Sequence, residues 1–70
     1  MWERESCAEV LAIVHKAGIK KFRIVDMSGS VWEADKVHMG LHLGNCRSRY
    51  VLYRVFVEDY KVWLEILVDI

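Results

Sequence analysis

The sequence predicts a small α+β fold, with one N-terminal helix packed on a four-stranded antiparallel meander sheet. Three observations predict it. Apolar residues recur at three- and four-residue steps as far as Ala17, the period changes to two from Lys20 onward, and opposite charges meet when the later segments are folded into two hairpins. The 70 residues fit one domain.

The helix is expected over residues 2–17. Cys7, Val10, Leu11, Val14 and Ala17 share one face, widened by Trp2, Ser6 and Ile13, while Arg4, Glu5, Ala8, Glu9, Ala12, His15 and Lys16 fall on the other. Glu3 and Glu5 near the start, with His15 and Lys16 near the end, suit the helix dipole. Gly18 followed by Ile19 reads as a C-terminal cap, with glycine left-handed and the next apolar residue folding back.

The first hairpin joins residues 20–26 to residues 30–36 around Met27-Ser28-Gly29, with Gly29 where a three-residue loop needs a left-handed residue. This register sets Arg23 opposite Glu33, Lys21 opposite Asp35, Val25 opposite Val31, Ile24 opposite Trp32 and Phe22 opposite Ala34. A two-residue loop would instead oppose Phe22 to Asp35 and Ile24 to Glu33, losing cross-strand pairs worth about 0.2–1 kcal/mol each.

Residues 37–43 alternate in parity opposite to Trp32 and Ala34. A β-bulge near Asp35-Lys36 is therefore expected, extending one strand over 30–43 to a turn at Gly44-Asn45. The competing reading is a helix from Val31, since Ser30-Val31-Trp32-Glu33 matches a capping box. Gly40 inside it would cost about 1 kcal/mol against Ala, and the hairpin pairs would be lost, so strand is preferred.

The second hairpin joins 49–58 to 61–69 if Asp59-Tyr60 is the turn. Glu58 then faces Lys61, Arg54 faces Glu65, Phe56 faces Trp63 and Leu52 faces Leu67; on the other face Val51, Tyr53, Val55 and Val57 meet Val68, Ile66, Leu64 and Val62. Asp-Tyr suits the positive φ angles of a two-residue turn poorly, so a slightly longer loop with the same register is the alternative.

Composition narrows the function classes. Ten basic and ten acidic residues cancel, removing the electrostatic footprint that drives nucleic-acid and anionic-membrane binding. Val10–Val14, the longest apolar run, is far short of the roughly 20 residues of a membrane span. Two cysteines make no secreted-type disulfide framework and no leader opens the chain, so cytoplasm is the expected compartment. The absence of Gln and Thr and the single Asn hint at a heat-loving source, against which stand two Cys, three Met and no Pro.

No motif names a reaction, cofactor or metal. His38, His42 and Cys46 are four apart, but on a strand the two histidines would be separated by roughly 13 Å, too far to share an ion. Cys7, mid-stripe, reads as a small buried hydrophobe. Cys46, beside Arg47 and Arg49, has thiolate-favouring neighbours but no legible base or pocket. Paired carboxylates suited to general acid/base work are not apparent, and Gly40 and Gly44 alone carry no phosphate-loop signature.

One helix covers one sheet face. The helix-free face collects His38, His42, Tyr50, Leu52, Arg54, Phe56, Trp63, Glu65 and Leu67, an aromatic and titratable patch too apolar to need no partner. A homo-oligomer, with a dimer favoured, through that face or an edge strand is the principal expectation, making the chain a self-associating or partner-binding module without catalysis of its own. The alternatives are a nucleic-acid-binding or regulatory domain stacking bases on that face, and an enzyme with its cleft at a dimer interface. A small-molecule ligand is not identified.

Overall fold

The computed structural model describes residues 1–45 and 49–68. Its elements are β1 (Glu3–Ser6), α1 (Cys7–Ala17), β2 (Lys21–Asp26), β3 (Val31–Ala34), α2 (Lys36–Gly44), β4 (Tyr50–Glu58) and β5 (Lys61–Val68). The five strands form one mixed sheet in the order β1-β4-β5-β2-β3. β2 and β5 are parallel neighbours and every other pairing is antiparallel.

Both hairpins have the register the charges dictate. Arg23 lies opposite Glu33 and Ile24 opposite Trp32 in the first; Arg54 opposite Glu65, Phe56 opposite Trp63 and Glu58 opposite Lys61 in the second. The second turn is Asp59-Tyr60 with no added residue, φ being 52° and 63°. Two positive φ angles match the right-handed twist of the strands, and that geometry prevails over the side chains' reluctance to adopt it.

The meander does not form. The hairpins lie side by side through a parallel β2–β5 junction, so β5 is the central strand. Its residues Trp63 to Ile66 are all buried, and its sequence is apolar in both parities (Val62, Trp63, Leu64, Ile66, Leu67, Val68), as expected of a strand covered on both faces.

Residues 2–6 are not helical. β1 pairs with the start of β4, Glu3 opposite Tyr53 and Ser6 opposite Tyr50, and α1 begins only at Cys7. Ser6 is its N-cap, accepting a hydrogen bond from the backbone N–H of Glu9 at 3.1 Å. Ser6-x-x-Glu9 fits a helix-start signature, and its position after Glu5 marks where the strand must stop. At the other end Gly18 is left-handed (φ 64°) and Ile19 is buried, as the cap requires.

Instead of a bulged strand over 30–43 there is a short β3 and a second helix. Asp35 does not extend the hairpin opposite Lys21; it caps α2, its carboxylate accepting from the His38 N–H at 2.8 Å. Met39 and Leu43, one helical turn apart, are thereby driven into the core. Gly44 ends α2 and Asn45 caps it. Helix wins because burial of these two large side chains outweighs the cost of Gly40.

Both helices cover the same face. Cys7, Val10 and Val14 of α1 and Met39 and Leu43 of α2 share one core with Phe22, Ile24, Val51, Leu64 and Ile66. No helix among the described residues is long and apolar enough to cross a membrane.

Candidate interaction surface

Alternation along β2, β4 and β5 sends Arg23, Arg54, Phe56, Trp63 and Glu65 to the helix-free face. There Phe56 and Trp63 stack with ring centroids 6.3 Å apart and planes 9° from parallel. The Arg23 guanidinium carbon lies 4.5 Å from the Trp63 centroid and 5.4 Å from that of Phe56, and Lys21 Nζ lies 5.8 Å from Trp63. Arg54 stacks on Phe56 at 4.7 Å and on Trp2 at 5.5 Å, and Arg4 on Tyr50 at 4.7 Å. Each ring face attracts a cation through its quadrupole.

Carboxylates complete the layer. Arg54 Nε donates to Glu65 Oε1 at 2.7 Å, and Arg23 donates to Glu58 Oε2 at 2.6 Å with its other nitrogen 3.9 Å from Glu65. Glu65 is only 4% exposed, which is tolerable because two guanidinium groups replace its lost hydration. The hydrogen bond and charge of Glu58 raise Arg23 above its already high ordinary value. Trp63 is only 7% exposed. Its buried Nε1 has no acceptor among the described residues.

The patch read from the sequence is therefore divided. Arg54, Phe56, Trp63 and Glu65 come together as an interlocked layer, and Leu52 lies opposite Leu67 beside it. Tyr50 stands at its margin against Arg4. His38 and His42 do not belong to it: they are exposed on α2, on the opposite side of the sheet, because 36–44 is helix. His38 Nδ1 lies 2.8 Å from Asp35 Oδ1.

The histidines are now one helical turn apart, a spacing the strand reading excluded. Among the described residues no three His, Cys, Asp or Glu side chains converge as a metal site. Cys46 and the positive charge of Arg47 lie outside the described residues. Cys7 is buried, as its stripe predicts, but at the first residue of α1 and in a disulfide rather than as a free thiol. Disulfides persist in oxidising compartments, so this bond lends no support to the cytoplasmic expectation.

Apolar surface is also left open on the other side of the sheet. The strand ends next to the Asp59-Tyr60 turn run beyond the helices, leaving Val55, Val57 and Val62 exposed on the helix side, with Val57 at 71%. Val57 and Val62 are direct cross-strand partners and Val55 is two residues further along β4, so the three form a continuous corner. Tyr60 projects fully exposed from the tip. In the sequence these valines fall on the helix side of the sheet; that the helices leave them open is decided by the tertiary structure.

No protein-family model, curated protein or solved structure matches the chain.

Proposed function

We propose that the chain is a small self-associating module without catalytic chemistry of its own, and that its contact surface is the valine corner of the β4–β5 hairpin. The observation that carries this reading is the exposure of Val55, Val57 and Val62 side by side, with Tyr60 fully exposed at the adjoining turn. An apolar cluster at one end of a small domain favours burial against another chain, and two-fold pairing is the commonest way to achieve it.

The helix-free face supports the reading less well than the sequence alone implied. Its largest rings already lie under the protein's own guanidinium groups, so apolar area there is spent within the chain. For the same reason stacking of nucleic-acid bases has little support: Trp63, the natural platform, is covered by Arg23 and Lys21.

Size-exclusion chromatography with light scattering, from micromolar to millimolar protein, tests the proposal. The expected result is a concentration-dependent rise from the 8.2 kDa monomer, abolished by Val57→Lys with Val62→Lys and unaffected by Tyr50→Ser. A monomer throughout the range, or association that survives the valine changes, overturns it.

A further inference from the structure

We propose that the cleft between α1 and α2 binds a small amphipathic carboxylate, a chain of about five or six carbons with an anionic end, independently of any self-association. The cleft has a volume of about 120 Å³, and its apolar walls include Leu11 and Val14 from α1, Phe22 from β2 and Met39 from α2. A closed apolar cavity of about 150 Å³ takes up a single benzene ring, so this somewhat smaller, partly open cleft has room for a short alkyl or aryl group.

The rim supplies the charge. Lys36 and His15 are the polar residues of the lining, and both are exposed. Among the described residues neither is held in an ion pair or a side-chain hydrogen bond, and no carboxylate lines the cleft. An unengaged ammonium beside an apolar recess complements a ligand with a greasy body and a carboxylate end. A neutral ligand leaves that ammonium unused, and a cationic one meets repulsion.

Gly40 points the same way. It sits inside α2 on the wall of the cleft, and a Cβ there would meet no atom within 4 Å. Glycine in a helix interior is a poor choice where alanine fits. Its presence keeps the recess wide.

The test is a ¹H–¹⁵N NMR titration of the intact, oxidised chain with sodium hexanoate, using hexan-1-ol and hexylammonium as comparison probes. Hexanoate is expected to saturate with a Kd on the order of 1 mM, shifting the amides of Leu11, Val14, Met39 and Gly40. Hexan-1-ol should bind about threefold or more weakly, as should hexanoate to Lys36→Gln, the range an exposed charge contact supplies. Gly40→Leu should abolish binding. Lys36 is exposed, so its variant keeps the fold even if Gly40→Leu does not. No saturation, equal binding of hexanoate and hexan-1-ol, indifference to Lys36→Gln, or shifts confined to another surface each overturns the proposal.

Discussion

The guanidinium of Arg23 lies 4.5 Å from the ring centroid of Trp63, across the parallel junction of β2 and β5. That junction makes Arg23 a diagonal neighbour of Trp63, and with Lys21 it forms a cover over the indole. In a background with Trp2→Phe and Trp32→Phe, Arg23→Ala should therefore shift Trp63 emission to the red and raise its quenching by acrylamide. Emission unchanged from the parent would mean that the cation is not what shields the ring.

Arg54 and Glu65 should show coupling. Glu65 is nearly buried and Arg54 is partly open to water, so removing the arginine leaves an anion with reduced compensation. A double-mutant cycle of Arg54→Met and Glu65→Gln, followed by urea unfolding, should give an interaction of about 1–3 kcal/mol. A value near zero would reduce the pair to a surface contact.

The β4–β5 turn is expected to be suboptimal for stability. Tyr60, at φ 63°, adopts a conformation that costs an L-residue about 1–2 kcal/mol relative to one free of a Cβ clash. Tyr60→Gly should stabilise the monomer by about 1 kcal/mol by thermal unfolding, while weakening self-association if the tip contributes to contact. A lower melting temperature would show that the tyrosine makes compensating interactions.

Gly40→Ala should stabilise the chain by about 1 kcal/mol, because the helix gains propensity and the added methyl meets nothing within 4 Å. The same substitution narrows the cleft, so any gain in stability should come with weaker hexanoate binding. Stability and binding moving together would contradict the placement of Gly40 on the cleft wall.

Acid should loosen the α2 start and the β2–β3 loop. The backbone N–H of His38, then its imidazole, hold Asp35 below the ordinary value of 3.8. The Ser28 hydroxyl, followed by the backbone N–H groups of Ser30, Ser28 and Gly29, does the same for Asp26. A depressed carboxyl contributes stability that is fully present above its ordinary value and is lost as pH falls through its lower folded value. Stability should therefore decline from about pH 4 downward, and Asp26→Asn with Asp35→Asn should flatten that slope in urea titrations. An unaltered slope would assign acid sensitivity to other groups.

What the sequence determined was local. Period-two alternation, opposite charges and the glycine at position 29 specify each hairpin and its register through residues close along the chain, and Gly18-Ile19 likewise marks the end of α1. The disagreements arise where a segment's preference is weak and distant packing decides. Residues 36–44 alternate well enough for a strand, but capping by Asp35 and the shared core with α1 make them helix, which removes His38 and His42 from the sheet face. Residues 3–6 carry an amphipathic pattern too short to discriminate, and the edge of β4 takes them as strand. Only tertiary structure set the two hairpins side by side through β2 and β5. Burial on both faces is a property of β5's neighbours, although its double-sided apolarity was already in the sequence, and that burial places Trp63 and Glu65 inside the protein's own cover while the valines at the hairpin end stay open to solvent.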